Sequence, residues 1–197
     1  MISGSASDGG PADQELIGRV VGGDAAAFGL IVKRYEGRLA NAVCRLIGST
    51  EDARDVLQDT FVKAYENLEG FRGGSSLYTW LFRIAVNTSL SHRRKRKWMP
   101  TAAGTNPDDP GVGEGWADPS APDPADPLVA AETGALVQEA LSSLDDDHRT
   151  VVVLRDIQHC EYQEIAEILE IPTGTVKSRL HRARLLLREK LKPLFRA

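Results

Sequence analysis

Between Thr175 and Arg184 the chain reads TVKSRLHRAR, which gathers Thr175, Lys177, Ser178, Arg179, His181, Arg182 and Arg184 within ten residues. At 100° per residue, Ser178, His181 and Arg182 share one side of a helix. Lys177, Arg179 and Arg184 flank that side, and Val176, Leu180, Ala183 and Leu187 fall on the opposite one. Guanidinium forks and short hydroxyls backed by an apolar stripe suit a helix that lies in the DNA major groove. There an arginine can pair with a guanine edge, and flanking cations neutralise phosphates. The competing reading is a surface helix with a solvated basic face.

Two more constellations carry charge at helical spacing. In EDARDVLQDTFVKAYENL, Asp52, Asp55, Asp59 and Glu66 lie within about 60° of one another. Such a stripe serves as a solvated face, as a dock for a basic helix, or as a carboxylate metal site. The metal reading is the weakest, because no His accompanies the acids and one exposed helix face cannot wrap a cation with six oxygens. In LYTWLFRIAVNTSLSHRRKRKW, Arg83, Asn87, Leu90 and Arg94 share a side, and the segment runs out into Arg93, Arg94, Lys95, Arg96, Lys97 and Trp98. A basic helix end with an aromatic suits phosphate contact and base stacking. A basic solvated tail is the bland counterpart.

The net charge of −4 over 197 residues argues against DNA contact until it is mapped along the chain. From Pro100 to Gly134 there are seven acids and no Lys or Arg, so the remainder carries +3. Thr175 to Ala197 alone holds eight Lys/Arg against Glu189. Segregation of this kind fits nucleic-acid contact better than the mean does. Cys44 and Cys160 stand in no CxxC or Cys/His cluster and read as buried hydrophobes. No apolar run approaches the roughly 18 residues of a membrane span, and the N-terminus lacks a signal-peptide pattern. No metal or cofactor is expected, and the location expected is cytoplasmic.

The elements that must position these residues are all helical. Gln14 to Leu46 reads as two helices broken at Gly22-Gly23-Asp24, with Asp24 as N-cap. Ser49-x-x-Asp52 fits a capping box before a helix over 51–68, whose apolar stripe is Ala53, Leu57, Phe61, Ala64, Tyr65 and Leu68. After the loop Phe71-Arg72-Gly73-Gly74-Ser75-Ser76, a helix from near Ser76 has Leu77, Trp80, Leu81, Ile84, Ala85 and Thr88 as its core face. Pro100 to Pro127 holds seven of the ten prolines, an extended linker that at ~3.3 Å per residue spans at most ~100 Å. Helices follow over 128–144 and from the Asp145-Asp146-Asp147 cap to Gln158. The pair Tyr162–Leu169 and Thr173 onward is split at Pro172, with the Thr173 hydroxyl as the expected cap. The expected domains are a lead-in at 1–12, a helical unit at 13–99, the linker at 100–127 and a second helical unit at 128–193.

Taken together, these segments resemble the bacterial RNA polymerase sigma factors of the sigma-70 family, extracytoplasmic-function (ECF) type. EDARDVLQDTFVKAYENL and TWLFRIAVNTSLSHRRKRK resemble the family's region two, and LDDDHRTVVVLRDI with YQEIAEILEIPTGTVKSRLHRARLLLREKL resembles region four. The resemblance implies an all-α chain, a region-two bundle and a region-four helix-turn-helix joined by the flexible acidic linker. It implies a promoter-specificity subunit with no catalysis of its own. By position, Asp52, Asp55, Gln58 and Asp59 would dock on the clamp helices of the polymerase β′ subunit, and the β subunit would be a further contact. Phe71, Arg72, Arg83, Asn87, Arg93, Arg94, Arg96 and Lys97 would recognise the minus-ten element and capture bases from the melted strand. Ser178, Arg179 and Arg182, with Thr175 and His181, would read the minus-thirty-five element, and Lys177 and Arg184 would hold phosphates. An anti-sigma factor is the further partner implied. The alternative is a stand-alone helix-turn-helix regulator that binds an operator. The chain departs from the family pattern at three places: Glu170 stands where Gly is usual, Ser91 where Asp is frequent, and His159-Cys160-Glu161 where a Gly-Leu-Ser-like approach is usual.

Overall fold

Asp24 and Ser49 set the first helical boundaries. Asp24 accepts the Ala27 N–H at 3.3 Å and Ser49 accepts that of Asp52 at 3.3 Å, each satisfying an orphan donor of a first turn. The computed structural model describes residues 12–98 and 127–192, with side chains from residue 133 onward in the second stretch. The linker lies almost wholly outside the described residues.

The first half holds α1 (Asp13–Val21), α2 (Ala25–Ile47), α3 (Thr50–Asn67) and α4 (Leu77–Trp98). A short 3₁₀ turn, Leu68–Gly70, follows α3. The second half holds α5 (Pro127–Ser142), α6 (Asp146–Val152), α7 (Tyr162–Leu169) and α8 (Thr173–Leu191). No strand occurs among the described residues. The expected breaks at Gly22–Asp24, at the Ser49 cap and before Pro172 all fall where predicted.

Helix α2 is the spine of the first half. Ile31, Leu39 and Val43 are fully buried along it, and α1, α3 and α4 pack around it. Each such side chain contributes roughly 1.5–3 kcal/mol by leaving water. Gly48 ends α2 in the left-handed region at φ +83° and donates to the Cys44 carbonyl at 2.8 Å, a conformation glycine takes without strain. Cys44 and Cys160 are both buried, as expected.

Three expectations need correction. Helix α4 buries two sides, not one: Phe82 and Val86 are as inaccessible as Leu81 and Ala85. Helix α4 packs on α7 of the other half as well as on α2 and α3. Tyr65, expected in the apolar stripe of α3, is 47% exposed, although its ring meets Phe28 edge-on at 5.1 Å. Val56 and Thr60 are buried in the core of that helix instead. The Thr173 hydroxyl makes no cap. Pro172 occupies that position, and its carbonyl accepts from Thr175 and Val176.

Helix α6 begins at Asp145, whose carboxylate accepts the His148 N–H at 2.9 Å. It then widens into a π-helical segment, Val153–Ile157, before the turn into α7. A π segment inside a helix commonly marks a functional site. Here it packs on α2 of the first half, where the side-chain amide of Gln158 donates through Nε2 to Asn41 Oδ1 at 3.4 Å.

Candidate nucleic-acid interface and docking face

Helices α7 and α8 cross at a turn made by Glu170-Ile171-Pro172. Val176, Leu180 and Ala183 anchor α8 on Ile165 and the rest of the buried core. This leaves Lys177, Ser178, His181 and Arg182 exposed on the outer side, as the spacing predicted. Thr175 is half-buried at the start of the helix. Arg179 is held by Asp147 at 2.6 Å, and Arg184 by Asp156, so two of the seven residues are engaged by acids of their own half. The Lys177 ammonium sits 5.7 Å from the Tyr162 ring centroid.

In the first half, Ser76 caps α4 by accepting the Thr79 N–H at 3.0 Å. Phe71 packs against Trp80 with ring centroids 5.3 Å apart, which leaves Arg72 exposed at the loop. Asn87 is exposed and Trp98 is 88% exposed at the basic end. Arg94 is exposed and reaches the Ser91 hydroxyl at 3.4 Å. Arg83, Arg93, Arg96 and Lys97 of α4 are engaged. Arg83 donates to the Glu167 carbonyl at 2.6 Å and pairs with Glu170 at 3.3 Å. Arg93 donates to Asp146 at 2.7 Å and to the Leu46 carbonyl at 3.1 Å. Lys97 reaches the other oxygen of Asp146 at 3.4 Å, and Arg96 pairs with Asp52. Sequence spacing could not show these partners, because Asp146, Glu167 and Glu170 come from the other half.

The acidic stripe of α3 divides in two. Asp55, Gln58 and Asp59 are exposed, with Glu66 further along the same helix. Asp52 instead turns toward α4, where Arg96 and the His92 ring, at 3.9 Å, face it.

Sequence reasoning missed Arg149. Its side chain is only 1% exposed, and it donates to four carbonyls: Leu141 at 2.8 Å, Leu46 at 3.0 Å, Ser142 at 2.7 Å and Leu144 at 2.9 Å. Burial pushes its guanidinium down to about 10, with the nearby charge of Arg93 adding to the shift. The arginine closes the C-terminal end of α5 and reaches the end of α2 across the two halves. Nothing in the heptapeptide around it signals that role.

Glu170 adopts φ +55°, ψ +41° at the end of α7, and its N–H bonds to the Ala166 carbonyl. A left-handed non-glycine residue costs roughly 1 kcal/mol, so the departure noted in the sequence is real in the backbone. His159 is the other non-glycine residue at positive φ among the described residues, at +57°.

Residues 31–99 match the Sigma-70 region 2 family, and residues 135–187 match Sigma-70, region 4. The ECF RNA polymerase sigma-E factor of Haemophilus influenzae is 37% identical over 92% of this chain and 96% of its own length. The chain belongs to the ECF sigma factors of the sigma-70 family. The RNA polymerase sigma-H factor of Pseudomonas aeruginosa is likewise 37% identical, over 93% of this chain and 96% of its own. Among solved structures, CnrH in complex with the cytosolic domain of CnrY matches with a TM-score of 0.68 at 28% identity, covering 93% of this chain and 99% of that one. The sigma factor RpoE from Bartonella quintana, in complex with the anti-sigma factor NepR, matches with a TM-score of 0.64 at 28% identity, over 84% and 96% of the two chains. Sigma factors are DNA-binding initiation subunits and generally not enzymes; this sigma factor directs RNA polymerase to promoters. Among the described residues, no helix is long and apolar enough to cross a membrane.

Proposed function

We propose that this sigma factor docks on core RNA polymerase through Asp55, Gln58 and Asp59, with Asp52 joining once Arg96 leaves it. The β′ clamp helices are the basic partner, and the β subunit receives the region-four half. The observation that carries this reading is the exposed carboxylate run on α3, on the half that also bears the basic end of α4. A basic partner helix relieves the repulsion among acids one turn apart. Phe71, Arg72, Arg83, Asn87, Arg93, Arg94, Arg96 and Lys97 then face the minus-ten element. Thr175, Lys177, Ser178, Arg179, His181, Arg182 and Arg184 face the minus-thirty-five element. The unit boundaries are residues 13–99 and 128–193, joined by the acidic connector. The chain performs no bond chemistry itself and acts in the cytoplasm beside the polymerase. An anti-sigma factor covers these same surfaces, a reading supported by the complexes in which the two structural relatives were solved.

The test is charge reversal of Asp55→Lys with Asp59→Lys in the full chain, followed by capture of core polymerase on the tagged protein. Loss of capture with unchanged helical circular dichroism is the expected result. Capture equal to wild type would overturn the docking assignment.

A further inference from the structure

The two arginines at the edges of α8 are each held by an acid from the helical run packed against it. Arg179 pairs with Asp147 at 2.6 Å, and Arg184 lays Nε and Nη2 on the two carboxylate oxygens of Asp156, the first at 3.2 Å. Asp147 stands in the first turn of α6 and Asp156 in the π-helical segment that continues it, and α6 packs on α8. At 100° per residue, Arg179 lies about 100° to one side of Ser178 and Arg184 about 120° to the other. His181 and Arg182 fall between them, exposed and outside every ion pair among the described residues.

A helix lying in the major groove turns its outer line toward the bases and its two flanks toward the phosphate walls. A guanidinium carries five donors, so an arginine that gives one or two to a carboxylate keeps the others for a phosphate oxygen. The two ion pairs are partly solvated and contribute little to stability. What they fix is direction. We propose that Asp147 and Asp156 are positioning residues for promoter readout: they aim Arg179 and Arg184 at opposite phosphate walls of the minus-thirty-five groove and leave base selection to Ser178, His181 and Arg182. The proposal rests on the reading of α8 as the minus-thirty-five helix, and it moves Arg179 from the bases to the backbone. Phosphate contacts set the register of a protein on the duplex, and register decides which base each reader meets. An arginine released from its acid keeps its charge and loses its direction, so binding survives and selectivity falls.

The test uses holoenzyme reconstituted with the full chain, a promoter selected with the wild-type form, and single substitutions through its minus-thirty-five element. Equilibrium binding is measured at several salt concentrations for wild type, Asp147→Asn, Asp147→Glu, Asp156→Asn, Arg179→Ala, Arg182→Ala and Glu139→Gln. The last makes the same change in charge as the Asn variants, at an exposed position of α5. Selectivity is a ratio between promoters on one protein, so a change in stability does not move it. Support is a roughly three- to tenfold fall in selectivity for both Asn variants against Glu139→Gln, with promoter binding retained and selectivity recovered in Asp147→Glu. Support also requires Arg179→Ala to weaken binding to all the promoters alike and to lower the salt slope by about one. Selectivity in either Asn variant equal to that of Glu139→Gln overturns the proposal, as does loss of discrimination at one base position in Arg179→Ala. With either result, an Arg182→Ala protein that loses discrimination at one base leaves the reading of α8 standing. An Arg182→Ala protein as selective as wild type overturns that reading and the proposal together.

Discussion

Arg93 and Arg149 donate to the same acceptor, the carbonyl of Leu46 at the end of α2, at 3.1 Å and 3.0 Å. One guanidinium comes from the region-two half and the other from the region-four half. Two like charges converge there because each has compensation elsewhere. Arg93 has Asp146, and Arg149 has the carbonyls of Leu141, Ser142 and Leu144. The arrangement joins the halves through backbone geometry as well as through charge.

Replacing Arg149 with Met should cost about 2–4 kcal/mol, because the carbonyls of Ser142 and Leu144 lose this donor inside the protein. Leu141 keeps the Leu144 N–H and Leu46 keeps Arg93, which limits the loss. Arg93→Ala should cost about 1 kcal/mol or less, since its pair with Asp146 is partly exposed. The double variant should exceed the sum, because only then does Leu46 lose both donors. Urea unfolding of the four proteins measures this coupling, and strict additivity would show that the shared carbonyl does not matter.

Acid should weaken the same junction. Burial raises the proton affinity of Asp146, but the hydrogen bond and charge of Arg93, with those of Lys97, outweigh it and hold the carboxyl below its ordinary 3.8. Asp145 is also lowered, chiefly by the His148 N–H that it caps. For a carboxylate lowered on folding, the stabilisation is whole above the unfolded value and is lost as pH falls through the folded one. The stability gap between wild type and Asp146→Asn is therefore present at neutral pH and closes in acid, as pH falls below the ordinary 3.8 and Asp146 takes up its proton. Denaturation series at neutral and acid pH check the sign. A gap that widens in acid would contradict it.

Residues on α8 should separate into two classes when tested in reconstituted holoenzyme. Arg182→Ala removes an exposed guanidinium fork; under the proposed reading it should cost about 1–3 kcal/mol at a preferred promoter while relaxing selectivity at one base position. Lys177→Ala should weaken initiation evenly across promoter variants and reduce its salt dependence. In vitro transcription over a set of minus-thirty-five substitutions distinguishes the two patterns.

Local signals carried much of this fold. Asp24, Ser49, Gly48 and Pro172 mark boundaries through capping or lost donors, chemistry that acts within a few residues and is visible in the sequence. The apolar side of α8 was equally legible, because Val176, Leu180 and Ala183 obey one helical period. What stayed hidden is long-range. Phe82 and Val86 lie outside the helical period of the α4 core face and are nonetheless buried, and nothing in the residues around Arg149 marks its burial. Tyr65 was misplaced because an aromatic at the stripe's edge can lean on Phe28 and still face water. The engagement of Arg83 and Arg93 depends on residues some 50 to 90 positions away, and no periodicity reports such pairs.

The central claim is that this chain reads promoters only as part of the polymerase. Promoter duplexes selected with reconstituted holoenzyme should be titrated with the free chain and with the holoenzyme, at the same salt concentration. The account predicts tight, sequence-selective binding and transcript formation with holoenzyme, and weak, unselective binding by the chain alone. Tight, sequence-specific binding of the duplex by the free chain would contradict it.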